Sequence, residues 1–465
     1  MAKVYLISPP YYGVYTGVVK KNFGVLQPPL GLAYVASYLK SRGHSVKLFD
    51  SSFSKDIFKD INSHMHEFNP TFVGITATTP QITSAFKVAE YIKSVNPTVK
   101  VILGGPHVSA LPEEALSTCN VDIIVCGEGE ITFSEIVDGK ELNAIQGICF
   151  KQDKKIVINS QRPLIENLDS LPFPLWEQLP VKSYYYVPRK TVGVMSTRGC
   201  PYRCSFCASG VIFRHQFRMR SPLNFVSEIE FLHKKFGVNN VMFIDETFTI
   251  NHERVEEICN LILEKKLPLQ WTCDTRVDSL TKKMLKTMKL AGCNTLRMGI
   301  ESSDEAVLEA VGKPINLEQA KAVVSWAREC NIKTVAYYLL GLPHETIKSL
   351  EKTLVFAKKL KTDLAHFSML VPLPGTKVWD IVKEGKILRC TGKEWRQYTR
   401  YDKPIVESDT LSKEQLLKYY RHMIRSYFFS PAYMLQTISA IKSFRTFNEY
   451  LNSAITFSKM FLSKS

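Results

Sequence analysis

No run of about 18 consecutive apolar residues occurs in the 465 residues, so no transmembrane helix is expected. The opening MAKVYLISPPYYG lacks a basic segment ahead of a long apolar core, and it reads as a strand rather than a secretory signal. No internal repeat and no low-complexity tract stands out, and with 45% apolar and 22% charged residues wholesale disorder is excluded. Acidic residues are in deficit: 44 Asp and Glu against 60 Lys and Arg, a formal charge of +16. That balance suits an acidic partner, such as a phosphate-bearing cofactor, a nucleic acid or an anionic membrane. No recognised nucleic-acid module is present, so no nucleic-acid partner is expected. The eleven cysteines are odd in number and spread over a chain without a secretion signal, which favours reduced thiols in a cytoplasmic protein over a disulfide framework.

What is there has a rhythm. Over residues 1–140 the strand candidates VYLIS (4–8), SVKLFD (45–50), TFVGIT (71–76), KVILGG (100–105) and DIIVCG (122–127) alternate with helical stretches. LGLAYVASYLKSRG (30–43) and TSAFKVAEYIKSV (83–95) are two of these helices. Such alternation predicts an α/β, doubly wound, Rossmann-like sheet. Its ligands would sit beyond the carboxyl ends of the strands, which read TATTP, GGPH and GEGE. Residues 141–190 lose the rhythm and read as a linker. ICFKQDKKIVI looks like a small hairpin, and the proline-rich LPFPLWEQLP (171–180) like an extended connector.

From 191 to 395 the rhythm returns with six strand candidates: 192–197, 241–245, 269–273, 295–300, 334–341 and 366–371. Six β/α units predict a partial (β/α)6 barrel with its chemistry at the carboxyl ends of the strands. Residues 396–465 read as a helical carboxyl-terminal region.

Just after the first barrel strand stands Arg198-Gly199-Cys200-Pro201-Tyr202-Arg203-Cys204-Ser205-Phe206-Cys207, a C-x3-C-x2-C loop. A loop this short turns three thiolates toward one centre, and soft thiolates select zinc or an iron–sulfur cluster. A structural zinc asks for a fourth protein ligand, and none follows closely before His215. Three thiolates on a four-iron cluster leave one iron open.

This segment resembles the radical S-adenosylmethionine (SAM) enzymes, with the aromatic Phe206 before the last cysteine as part of the pattern. The resemblance implies that Cys200, Cys204 and Cys207 hold a [4Fe-4S] cluster. Its open iron would chelate SAM, whose one-electron cleavage yields a 5'-deoxyadenosyl radical that removes hydrogen from an unactivated carbon. Matched one by one, Asp245-Glu246-Thr247 stands where the family contacts the SAM amino group. Glu301 stands at a position contacting the SAM ribose or amino-acid part, and Arg276 where it would pair with the SAM carboxylate, an ordinary rim salt bridge being the competing reading. Gly341-Leu342-Pro343 resembles the turn that reads adenine. Pro374-Gly375-Thr376 resembles a turn of the cobalamin-linked branch, without an assigned role.

Residues 1–140 in turn resemble the cobalamin-binding domain at the front of that branch, through 27–44, 73–81, 102–116 and 125–130. On this resemblance Gly104 and Gly105 would let the backbone approach the corrin or its nucleotide tail. Thr76, Thr78 and Thr79 would offer hydroxyls to the tail, and Glu128 would face the corrin amides. His107 is a candidate cobalt-face or tail contact, with a capping role as the stronger reading. Neither His44, His64, His66 nor His107 stands in an Asp-x-His-x-x-Gly loop, so histidine-ligated cobalt through that motif is not supported.

The other eight cysteines, Cys119, Cys126, Cys149, Cys259, Cys273, Cys293, Cys330 and Cys390, show no ligand spacing and mostly read as small core residues, with Cys273, at a strand end facing the presumed site, as the exception. Arg214, His215, Arg218 and Arg220 follow the cysteine loop and suit an anionic ligand or a solvated basic face. The stretch 425–464 mixes aromatic with spaced basic residues. It suits a helix lying on a membrane and equally a helical cap on the barrel, and the cap is favoured.

The resemblance as a whole implies a cobalamin-dependent radical SAM enzyme of the branch that holds methyltransferases and the anaerobic magnesium-protoporphyrin ester cyclase. The favoured reaction is methylation of an unactivated carbon of a small-molecule or lipid substrate, with ring formation or rearrangement as the alternative. A ferredoxin or flavodoxin would supply electrons. A non-catalytic cobalamin or iron–sulfur sensor is the reading from a different class, and it predicts no SAM cleavage.

Overall fold

The computed structural model describes residues 1–10, 25–186, 189–401 and 403–440. Five strands open the chain: β1 (Lys3–Ser8), β2 (Ser45–Asp50), β3 (Phe72–Thr76), β4 (Lys100–Gly104) and β5 (Ile123–Val125). All pair parallel, in the order β2-β1-β3-β4-β5. That is the flavodoxin-like winding, and its order reverses between β1 and β3, where the carboxyl ends open a crevice. Helices Leu30–Ser41 and Glu130–Val137 bury one face of the sheet, and Ile57–Phe68 and Ile82–Val95 the other.

The expected hairpin forms as β6 (Ile148–Gln152) and β7 (Lys155–Ile158). Its two-residue turn, Asp153-Lys154, takes positive φ at both positions, which matches the twist of the flanking strands. It is not a free linker: β6 pairs antiparallel with β5, so the first sheet continues to seven strands. The proline-rich connector is anchored on both sides. Gln178 hydrogen-bonds the backbone of Val46 and Leu48 in β2, and the fully buried Trp176 donates its indole N–H to Glu228 (2.9 Å) on the barrel helix Pro222–Phe236.

The second sheet has six parallel strands in sequential order: β8 (Val192–Val194), β9 (Asn240–Phe243), β10 (Gln270–Thr275), β11 (Cys293–Glu301), β12 (Lys333–Leu340) and β13 (Leu364–Met369). Alternation sets its two faces. Trp271, Cys273, Tyr338 and Phe367 pack into the apolar core, while Asp274, Arg297, Tyr337 and His366 take the opposite face. The first strand is shorter than the pattern 192–197 predicts. Asp245 accepts hydrogen bonds from the Ser196 and Thr197 amides, and Thr197-Arg198 leaves the sheet to pair antiparallel with Arg218-Met219.

The carboxyl-terminal region opens on a ribbon of Leu388–Cys390 with Val406–Ser408, and helices Lys413–Phe428 and Pro431–Ala440 follow. Part of the expected helical region, 441–465, lies outside the described residues. Among the described residues no helix is long and apolar enough to cross a membrane.

Candidate functional site

The cysteine loop is fixed at its root. Arg198 donates to Glu128 (2.7 Å) and Glu130 (2.6 Å), two carboxylates of the first domain, and its guanidinium lies 5.0 Å over the Tyr34 ring. Gly199 follows with φ +85°, and a Cβ there would strike the Gln216 carbonyl oxygen and Phe213 Cβ (2.9 Å). Only glycine lets the chain turn here. Further along, the Ser205 amide donates to the Val311 carbonyl and the Val378 amide to the Ser205 carbonyl, both at 2.9 Å. A loop held at both ends presents Cys200 and Cys204, half-buried, and Cys207, exposed, all as free thiols.

The three thiols share one field. Burial, with the neighbouring charges of Cys207, Glu246 and Cys204, pushes the Cys200 thiol up to about 11, and burial likewise raises Cys204, beside Lys313, Cys207 and Arg276. Iron bound by these residues would reverse that cost by favouring the thiolate form. Among the described residues no group of three such side chains is gathered for a single metal ion. A four-iron cluster asks for a wider set, one thiolate on each of three irons, and the donor chemistry fits it.

Around the loop the structure gathers several of the expected residues. Glu246 accepts from Ser209 Oγ (3.1 Å) through one carboxylate oxygen, while its other oxygen is buried with no partner among the described residues. Burial raises its carboxyl to about 6. An orphaned carboxylate oxygen beside Cys200 fits the ammonium group of SAM. Arg276 lies 3.9 Å over the Tyr202 ring and is held by Asp278 (2.6 Å). Glu301, at φ +63°, pairs with the buried Lys313 (2.6 Å), whose ammonium lies 5.9 Å from the Phe206 ring.

Other expected residues are engaged by the chain's own groups. Asp245 is fully buried and spends both oxygens on Ser196 and Thr197, so it buckles β9 to the root of the loop and does not open toward a ligand. Glu128 does not face an open edge: Arg198, Arg218 (2.9 Å) and the Ile165 amide (2.9 Å) occupy it. Burial alone would raise its carboxyl, but the Arg198 charge and these hydrogen bonds hold it below the ordinary carboxylate range. Gly341 donates its amide to Glu345 (2.6 Å), and Leu416 of the carboxyl-terminal helix packs over it, with Leu342 and Pro343 buried alongside. Gly375 packs against Val211 behind the cysteine loop and Ala110 of the first domain, which gives the Pro374-Gly375-Thr376 turn a place at the domain junction.

At the carboxyl edge of the first sheet, Gly105 has φ +103°, and a Cβ would meet the Ala77 backbone at 2.7 Å and Thr76 Oγ1 at 3.0 Å. Glycine is therefore required here by the chain's own close packing, beside Gly104 and Thr76 at the edge of the crevice. Thr78 hydrogen-bonds Gln81 (2.8 Å), and Thr79 bonds His107 (3.2 Å). His107 is buried, edge-on to Trp395 (4.8 Å), and burial lowers it to about 4, so it is a neutral packing residue. Of the basic run, Arg218 and Arg220 form buried ion pairs with Glu128 and Glu228, while Arg214 and His215 donate to the Arg162 and Tyr202 carbonyls. Cys273 lies on the core side of β10, beside Cys293, away from the open face.

Sequence reasoning missed Tyr202, Lys313 and the polar lining of the second sheet. On that face Arg297 is paired with Asp274 and donates to Met242 Sδ (3.2 Å), and Tyr337 stacks on His366 (5.2 Å). Burial lowers His366 to about 4, which keeps the imidazole neutral. The available signal was a polar residue at alternate positions of strands that are otherwise apolar.

Comparison with known proteins identifies the two domains. The family described as the radical SAM superfamily matches residues 194–357, and the B12 binding domain matches 17–137. An uncharacterized methyltransferase of Pyrococcus horikoshii is 36% identical over 441 residues, 94% of each chain. An anaerobic magnesium-protoporphyrin IX monomethyl ester cyclase of Rubrivivax gelatinosus is 30% identical over 421 residues, 88% of this chain and 75% of the cyclase. In fold, the chain is similar to the radical SAM methyltransferase TsrM of Kitasatospora setae, solved with cobalamin and a [4Fe-4S] cluster, at TM-score 0.75 and 17% identity over 99% of this chain and 100% of TsrM.

Proposed function

We propose that this chain, which belongs to the radical SAM superfamily in the branch carrying an amino-terminal B12-binding domain, methylates an unactivated carbon of a small-molecule or lipid substrate. The observation that supports this reading best is the Arg198 anchor. It ties the root of the cysteine loop to Glu128 and Glu130, so the loop and the first domain are held together at one junction.

Cys200, Cys204 and Cys207 would hold the cluster, and Gly104, Gly105 and Thr76 would cradle the corrinoid. When bound, the cluster supplies one-electron cleavage of SAM and the corrinoid supplies a methyl carrier. The chain's own residues do the rest. Glu246 offers an unpaired carboxylate oxygen to the SAM ammonium. Arg276, fixed between Tyr202 and Asp278, holds positive charge toward the SAM carboxylate. Lys313 fixes Glu301 for the ribose or amino-acid part. Asp274, Arg297, Tyr337 and His366 give the sheet a polar floor that orients substrate, with His366 accepting or donating a hydrogen bond as a neutral ring. Leu416, packed over Gly341, closes one side against water. A ferredoxin or flavodoxin would deliver the electron, in the cytoplasm.

Thirty per cent identity to the magnesium-protoporphyrin cyclase favours one second reading, ring formation without methyl transfer. Anaerobic reconstitution with iron, sulfide and methylcobalamin, followed by SAM and a strong reductant, separates the two. 5'-Deoxyadenosine and S-adenosylhomocysteine together are expected for methyl transfer. 5'-Deoxyadenosine alone would move the assignment to the cyclase reading, and neither product from a cluster-loaded protein would overturn both.

A further inference from the structure

The helix Lys413–Phe428 divides its residues sharply. Leu416, Tyr420, Met423, Ile424 and Tyr427 are buried against the barrel. Lys418, Arg421 and Arg425 are exposed at a spacing of three and four residues, which places them in one row along the outer side. Phe429 extends the row and is 61% exposed.

Among the described residues, the next helix, Pro431–Ala440, is held through one side. Tyr433 packs edge-on against Phe428 (5.1 Å), and the Gln436 amide donates to the Thr362 carbonyl (3.2 Å). The other side turns Met434, Leu435 and Ile438 outward, at 49, 68 and 63% exposure. Among the described residues, four of the fourteen exposed large apolar side chains therefore fall within ten residues, while several others, such as Leu263 and Leu290, are far apart in the chain. A gathered patch of this kind marks an interaction surface, whereas single exposed leucines do not.

Charge identifies the partner. From Lys418 to Ala440 the chain has three Lys or Arg and no Asp or Glu. The following residues, 441–465, add four more Lys or Arg against Glu449 alone. An apolar helix side that follows a row of cations closely in the chain is complementary to an anionic bilayer, which offers an acyl layer to Met434, Leu435, Ile438 and Phe429 and phosphates to Lys418, Arg421 and Arg425.

We propose that the face formed by Lys418, Arg421, Arg425, Phe429, Met434, Leu435 and Ile438 docks this protein on an anionic phospholipid membrane. The proposal stands on this surface alone and does not depend on the reaction assigned to the site. It would place a barrel edge at the bilayer, where a lipid-soluble substrate is concentrated.

The test is co-sedimentation of the full chain with vesicles of phosphatidylcholine, with and without phosphatidylglycerol. Binding is expected to the anionic vesicles only, weakening as salt is raised. Leu435→Glu with Ile438→Glu is expected to reduce binding at least about tenfold. Lys418→Glu with Arg421→Glu is expected to abolish the preference for anionic lipid. Because all four residues are exposed, the melting temperature of each variant should match the wild type, which separates lost docking from lost fold. Equal binding to neutral and anionic vesicles, absence of binding, or binding unaffected by either pair would overturn the proposal. So would light scattering that shows a dimer dissolved by Leu435→Glu, since the patch would then join two copies of the chain.

Discussion

Arg198 and Glu128 are 70 residues apart in the chain and 2.7 Å apart in the fold, both buried, and this contact joins the cysteine loop to the corrinoid-binding domain. Glu128 also takes Arg218 and the Ile165 amide, so its charge is fully used. Removing one partner of such a group leaves the other charge buried and uncompensated, at a cost of about 3–5 kcal/mol. Glu128→Gln should therefore lower the melting temperature and the iron retained on reconstitution together. Because the folded carboxyl lies below the ordinary range, its stabilisation is present above that range and is lost as pH falls through it. The acid limb of the stability profile should flatten in Glu128→Gln, and a profile like that of the wild type would contradict this account.

Glu345 gives the opposite pH dependence. It is buried, accepts the Gly341 amide, and burial raises its carboxyl to about 8. The folded chain holds this proton more tightly than the unfolded chain does. Its contribution is complete below the ordinary carboxylate pKa and is lost as pH rises toward 8. The Glu345 contribution should fall between about pH 5 and pH 8, so Glu345→Gln should lose less stability than the wild type over the same interval. Unfolding in denaturant at several pH values measures it.

Gly199 and Gly105 are expected to affect the two proposed cofactor sites separately. A Cβ at Gly199 strikes the Gln216 carbonyl, and one at Gly105 strikes the Ala77 backbone, both at positive φ. Gly199→Ala should lose iron while retaining cobalamin. Gly105→Ala should lose cobalamin while retaining iron. Metal analysis and the corrin absorption of the purified variants read both, and loss of the same cofactor in both would contradict the division.

Lys313 is buried against Glu301. Lys313→Met should weaken SAM binding by roughly tenfold or more through the unpaired carboxylate, and Lys313→Arg should restore part of it. Equilibrium binding of SAM to the cluster-loaded protein is the measurement.

The strands were legible because runs such as VYLIS and KVILGG are apolar, β-branched and bounded by turns, and they form where expected. The cysteine loop was legible because three thiols in eight residues have few other uses. Local pattern failed where the decisive partner is distant. Glu128 and Asp245 read as open site acids because their motifs are short. Their partners, Arg198, Arg218, Ser196 and Thr197, reach them only through the packing of the two domains and the first barrel strands. The hairpin was visible, but its attachment to β5 was not, since hydrophobic alternation does not name the neighbouring strand. Lys313 carries no motif and Tyr202 fills a non-cysteine position of the cysteine loop, and only the Phe206 ring beside the one and the Arg276 guanidinium over the other single them out.

The most direct test of the central claim is the 5'-deoxyadenosine released from SAM by the anaerobically reconstituted, reduced protein, compared with Cys204→Ala prepared in the same way. The account predicts steady release from the wild type and none above background from Cys204→Ala, with both chains folded. Equal release from the two, or none from a wild type shown spectroscopically to carry its cluster, would contradict it.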